Sequence, residues 1–164
     1  MAAITDVKGL IAAIYERLDS NKSDISTGAQ ECDVFIGDTG ECYPNMEASY
    51  PFVIIGDPVS DYDEKVGNTG TMVVDVPFCI YNEYVDEGDT AQGRFGQNGL
   101  PEMAAKIIDL LWEYRFDSDS EVYHALPLRV ESAEGWEIPT GTEEDPTITT
   151  LYKKRLVIRY KIDF

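Results

Sequence analysis

Positive charge is what this chain has least of: 13 Lys and Arg residues stand against 31 Asp and Glu, a formal charge of −18 over 164 residues. A surface of that sign repels nucleic-acid phosphates and anionic lipid, since neither would find cations to replace its released counterions. Specific nucleic-acid binding is therefore disfavoured. Cysteine is scarce as well. Cys32, Cys42 and Cys79 form no CxxC pair, no even-numbered framework and no zinc spacing, so free thiols are expected. Cys79 alternates with apolar residues and reads as a small buried side chain rather than a reactive one. Long apolar runs are missing: no stretch approaches the about 18 residues of a membrane span, and Met1 to Lys8 has no basic segment leading into an apolar one. The expectation is an intracellular, soluble chain that makes no membrane contact.

Catalytic signatures are absent too. The sole histidine, His124, is separated in sequence from any cluster of carboxylates or thiols and reads as a surface residue at the start of a strand. Asp117, Asp119 and Glu121 imitate the opening of a calcium loop, but Val122 stands where the loop needs glycine and Leu128 where it needs a carboxylate. Gly93, Gly96 and Gly99 have neither the lysine-serine/threonine ending of a phosphate loop nor the spacing of a dinucleotide fingerprint. No nucleophile elbow and no HExxH are present, and among so many carboxylates an accidental acidic pair carries little information. These absences point away from an enzyme and away from any cofactor or metal.

What the chain does have is an ordered series of amphipathic segments. Its hydrophobic fraction of 43% is ordinary, and a domain of about 150 residues buries roughly 68–70% of its unfolded surface, so one core over residues 1–164 suffices. Val7, Leu10, Ile11, Ile14 and Leu18 form one helical stripe over residues 6–18, with Thr5 or Asp6 as its cap. Ser20 to Gln30 is polar and reads as a loop. Asp33 to Gly37 reads as a short strand, and Tyr50-Pro51-Phe52-Val53-Ile54-Ile55-Gly56 as one buried on both faces. Residues 57–70, rich in Asp, Glu and Gly, predict a long acidic connection. From Thr71 to Tyr84, Met72, Val74, Val76, Phe78 and Ile80 share one face of a long strand, and Pro77, lacking a donor, predicts an edge position or a bulge. Residues 85–98 predict a second acidic loop. Pro101 opens a second helix with Met103, Ala104, Ile107, Ile108, Leu111 and Trp112 in its stripe, ending in an acidic linker at 117–121. Tyr123 to Glu131 predicts a strand, and 132–147 a third acidic loop in which Trp136 and Ile138 pack on something. The order α-β-β-α-β-β predicts an α+β domain, with an antiparallel-rich sheet of four to five strands and both helices on one face.

The last run, Thr149 to Phe164, alternates. Tyr152, Leu156, Ile158, Tyr160 and Ile162 lie on or near one face, and Lys153, Arg155, Val157, Arg159 and Lys161 on the other. With Lys154 it holds five of the 13 basic residues, the sharpest charge asymmetry in the chain. Cations on an outer face can simply defend an edge strand, or they can dock acidic surfaces of neighbouring copies. The acid excess likewise has two readings, adaptation to very high salt or colloidal solubility with acidic loops that meet a basic partner.

The N-terminal helix, the Tyr50 to Gly56 strand, the long Thr71 to Tyr84 strand running through a glycine-rich loop into the Leu100 to Trp112 helix, and the closing strand together resemble tail terminator, or tail completion, proteins of long-tailed bacterial or archaeal viruses. The resemblance covers most of the chain in order. It implies a structural virion protein that forms a hexameric ring on the head-proximal end of the tail tube, ends tube polymerisation and joins the tail to the head connector. Its partners would be further copies of itself, the tail tube protein and a head connector or head-closure protein. It would be found at the head-tail junction, and in host cytoplasm during assembly. The candidate ring interface is Lys153, Arg155, Arg159 and Lys161, and the candidate tube- or connector-facing loop residues are Asp61, Asp63, Glu64, Asp86, Glu87 and Trp136. A tail tube or head-closure subunit is the alternative on the same segments, and a small hydrolase with an acidic site the alternative from another class.

Overall fold

The structure, a computed structural model, describes residues 4–26, 31–37, 51–85, 99–112, 114, 116, 122–131, 134–139, 142–145 and 148–164. Helix α1 (Val7–Asp19) starts where the Asp6 carboxylate accepts a 2.7 Å bond from the Gly9 amide, which settles the choice of cap. Leu10, Ile14 and Leu18 form its buried stripe. A four-residue helix, α2 (Lys22–Ile25), interrupts the segment expected to be a loop and buries Ile25. Helix α3 (Leu100–Leu111) carries Pro101 in its first turn, where a missing donor costs nothing, and buries Met103, Ala104, Ile107 and Leu111.

Among the described residues seven strands form one sheet, rather than the four or five expected: β1 (Asp33–Ile36), β2 (Phe52–Ile55), β3 (Val59–Val66), β4 (Thr69–Val85), β5 (Val122–Val130), β6 (Glu134–Pro139) and β7 (Ile148–Asp163). The main path runs β1-β2-β4-β7-β5, with β3 also on β4 and β6 also on β7. Among the described residues, only β1 and β2 pair in parallel. The fold is α+β and mostly antiparallel, as expected, with an added helix and two added strands, β3 and β6.

Two expected loops are strands. Residues 57–70 form a hairpin in which β3 turns back on β4 through Gly67, whose φ of 65° is a conformation glycine adopts without strain. Asp61, Asp63 and Glu64 hid this strand, because backbone bonding to β4 holds it and it needs no apolar stripe. Part of 132–147 is β6, bonded to β7 from Glu134↔Lys153 to Pro139↔Ile148, and Gly135 and Pro139 had argued for a loop there. Of the 85–98 segment, Val85 ends β4, while Asp86 and Glu87 lie outside the described residues.

Pro77 lies in the middle of the sheet, not at an edge. Its carbonyl accepts from the Gly56 amide at 2.8 Å, so the nitrogen of this residue faces the same side, just beyond the last β2 pair, Ile55↔Phe78, and before the first β3 pair, Val59↔Asp75. Pro77 thus lies where the β2 ladder ends, and its missing donor forgoes only the last bond of that ladder.

Both helices pack on one face. There α1 and α3 close over Met72, Val74, Val76, Phe78 and Ile80 of β4 and Leu156, Ile158, Tyr160 and Ile162 of β7, all buried in one cluster. A smaller cluster on the opposite face joins Phe52, Ile54, Cys79 and Tyr81, with the Phe52 and Tyr81 rings stacked at 4.9 Å. The 17 residues of β4 reach about 55 Å and the 13 of α1 about 20 Å, so the β4–β7 ribbon overruns the helices.

Candidate docking surface

Strand alternation sends Lys153, Arg155, Val157, Arg159 and Lys161 to the sheet face opposite the helices, where they stand beside Tyr81, Cys79, Pro77, Asp75 and Val73 of β4. The four sequence-predicted cations are therefore brought together in one row. Lys154 has the other parity, and its Nζ donates to the Glu131 carbonyl at 2.9 Å.

The four are not equivalent. Arg159 is held in a two-pronged bond to Asp75, Nε to Oδ1 at 2.7 Å and Nη2 to Oδ2 at 2.9 Å, with both side chains about two-thirds buried. That fork joins the two central strands and makes Arg159 a structural cation. Arg155 lies 3.9 Å from a Glu131 oxygen, at ordinary ion-pair range. The Lys153 ammonium sits 5.9 Å from the Tyr81 ring centre, at the outer reach of a cation-π contact.

A fifth cation escaped the sequence reading. Arg129 of β5 stands opposite Val157, between Arg155 and Arg159, with 72% of its side chain exposed and its Nε 3.4 Å from Glu131 Oε1. No linear pattern reveals it, because the register of β5 on β7 shifts between Ala125 and Arg129. Continued without that shift, the pairing would set Arg129 directly opposite Arg155, a repulsive like-charge pair. The irregularity instead lets one carboxylate, Glu131, serve both guanidinium groups. The face thus gathers five cations with the described carboxylates Asp75, Glu131, Asp163 and Asp61, the first two of them in ion pairs, in a chain of charge −18.

The other candidates are dispersed. Asp61 is exposed on β3 and shares this face with its partner Val73. Asp63 sits at the β3 bulge and Glu64 pairs with Thr71, while Trp136 pairs with Leu151 at the far end of β7.

Nothing described resembles an active site. A cleft of about 180 Å³ beside α1 is lined by Glu16, Arg17, Asn21 and Tyr114 among others. Arg17 lies 3.9 Å over the Tyr114 ring and donates to the Leu110 carbonyl at 3.1 Å, so it closes the C-terminal end of α3. Burial and the neighbouring Asp33 charge push the Cys32 thiol up to about 12, and burial pushes the Tyr160 phenol up as well. Both groups stay protonated at neutral pH. Among the described residues, no three His, Cys, Asp or Glu side chains gather to hold a metal, and no helix is long and apolar enough to cross a membrane.

A scan against models of known protein families matches none, and a comparison with curated proteins finds no match.

Proposed function

We propose that this chain is a structural subunit of a viral tail, forming a ring that caps the head-proximal end of the tail tube, stops its growth and joins it to the head connector. The observation that carries the reading is one sheet face, opposite the helices, that collects five cations on an otherwise strongly acidic molecule. One copy then bears acidic surfaces and one face that concentrates cations, and complementary patches at different places on a subunit produce head-to-tail contacts that close into a ring. The segment order that resembles tail terminator proteins supplies the location. In this reading the work is done by surfaces, and the ring contacts use Lys153, Arg155, Arg129 and Lys161, with Arg159 holding the face together from within.

Termination has a direct readout. Negative-stain images of particles assembled without this chain should show tubes of uncontrolled length and no joined heads, and adding the purified chain should restore fixed-length tubes. Tubes of normal length in its absence contradict the terminator reading, and no tubes at all would assign the chain to the shaft.

A further inference from the structure

Resting on the ring reading, we infer that the acidic partner of the cationic face is the tip of the β6–β7 hairpin of the next copy, with Glu143 and Glu144 seated at Arg129 and Arg155. Those two arginines share one carboxylate. Arg129 Nε lies 3.4 Å and Arg155 Nη1 3.9 Å from the same oxygen, Glu131 Oε1, and both arginines are exposed. Charge-assisted bonds run at about 2.7–2.9 Å, the lengths that Arg159 reaches on Asp75. Two guanidinium groups, each with five donors, thus meet a single carboxylate at longer range. A further carboxylate arriving from solvent can bond both, and the pair forms a clamp for one.

The hairpin supplies that carboxylate. Residues 140–147 join β6 to β7, and the structure describes 142–145 of them. Thr142 and Asp145 exchange both backbone bonds, amide to carbonyl at 3.1 and 3.2 Å, and the Asp145 amide also lies 3.1 Å from Thr142 Oγ1. This pair keeps the register of Glu134↔Lys153 and Pro139↔Ile148, so Glu143 and Glu144 are the two central residues of a tight turn at the hairpin end. Together with Asp145 they make the one run of three acidic residues in the sequence, and all three are exposed. Backbone groups and the Thr142 hydroxyl make the bonds that shape the turn, so its carboxylates can be exchanged without removing those bonds.

One copy does not make this contact with itself. Seven residues of extended strand, about 23 Å, separate Ile148 from Arg155, and the turn lies beyond Ile148 in the same register. Tip and clamp therefore occupy different places on one subunit, which is the condition for a head-to-tail contact. Tip against tip, or clamp against clamp, would set like charges together. Each copy instead gives its tip to one neighbour and its clamp to the other, and a closed ring uses every one of both. The contact falls on the cationic face, where Arg129 and Arg155 already serve the ring.

Two charge reversals test this: Glu143→Arg with Glu144→Arg at the tip, and Arg129→Glu with Arg155→Glu at the clamp. Either variant alone sets like charges in contact. Native mass spectrometry of the chain alone and with tail tubes should then show closed assembly weakened on the order of tenfold or more, with an unchanged circular dichroism spectrum. Mixed in equal amounts, the two variants should assemble again in alternation, because every contact joins opposite charges. A third variant keeps the charge and the fold: Arg155→Lys adds an amine that a carbodiimide couples to a carboxylate in contact, and peptide masses should join position 155 to Glu143 or Glu144 of another copy. Coupling to Glu131 alone overturns the contact. A tip-reversed chain that assembles like the wild type, or a mixture that stays apart, overturns it too and leaves the ring reading standing. A wild-type chain that forms no closed assembly alone or on tubes overturns both.

Discussion

Replacing Arg159 by Glu and replacing Arg155 by Glu should have different consequences, although the two residues stand two apart on one strand face. Arg159 bonds Asp75 at 2.7 and 2.9 Å across the central pair of strands, with 35% and 32% of the two side chains exposed. Fully exposed ion pairs contribute about 0.2–1 kcal/mol, and breaking a buried pair costs about 3–5. A forked pair at one-third exposure falls between, at about 1–1.5 kcal/mol after allowance for solvent screening. Glu at 159 also sets a second carboxylate directly opposite Asp75, so the total loss for Arg159→Glu should be about 2 kcal/mol. For a chain of this length that lowers the melting temperature by about 4–8 °C. Arg155, with 46% of its side chain exposed and a single 3.9 Å contact, should lose no more than about 0.5 kcal/mol on the same reversal. Thermal melts of the two variants and of Asp75→Ala with Arg159→Ala, as a double-mutant cycle, measure the difference. Equal melting temperatures for Arg155→Glu and Arg159→Glu, or a coupling below about 0.3 kcal/mol, would refute the assignment of Arg159 as a strand-to-strand tie.

Two further outcomes follow from particular residues. Because the Cys32 thiol is raised to about 12 from an ordinary value of 9.0, the unfolded chain loses its proton first, so this group's stability contribution is complete below pH 9 and declines as pH rises toward 12. Urea titrations should show about 1.4 kcal/mol lost per unit in that window, and less in Cys32→Ala; identical alkaline profiles would contradict it. At Gly67 an added Cβ meets nothing within 4 Å, so Gly67→Ala should cost only the backbone penalty of its 65° φ, about 1 kcal/mol, and Gly67→Asn less than half of that. A melt in which Ala and Asn are equal would mean the turn relaxes out of that conformation.

The parts of the fold that obey a period were legible in the sequence. The stripe Leu10, Ile14, Leu18 and the row Met72 to Ile80 each bury one face, and the apolar spacing that reveals them is the one that buries them. Strand β3 was not legible, because residues 59–62 are exposed and the strand is held by backbone bonds to β4, which ask nothing of its side chains. Pro77 misled for a related reason: whether a missing donor matters depends on which strand stops beside it, a fact about residues 55–59. In the candidate surface, the row from Lys153 to Lys161 was visible as alternation within one strand. Arg129 was not, since a register shift in another strand decides its neighbours. The split of roles among the cations depends on Asp75, 84 residues from Arg159 in sequence, and only the sheet brings them together.

The central claim is that this chain sits once, as a ring, where tail meets head. Gold-labelled antibody imaging of purified particles, counting label at the neck, along the shaft and elsewhere, tests it most directly. A single cluster at the head-tail junction is the expected result. Label along the whole shaft, or none on any particle once buried epitopes have been exposed by mild disassembly, would contradict it.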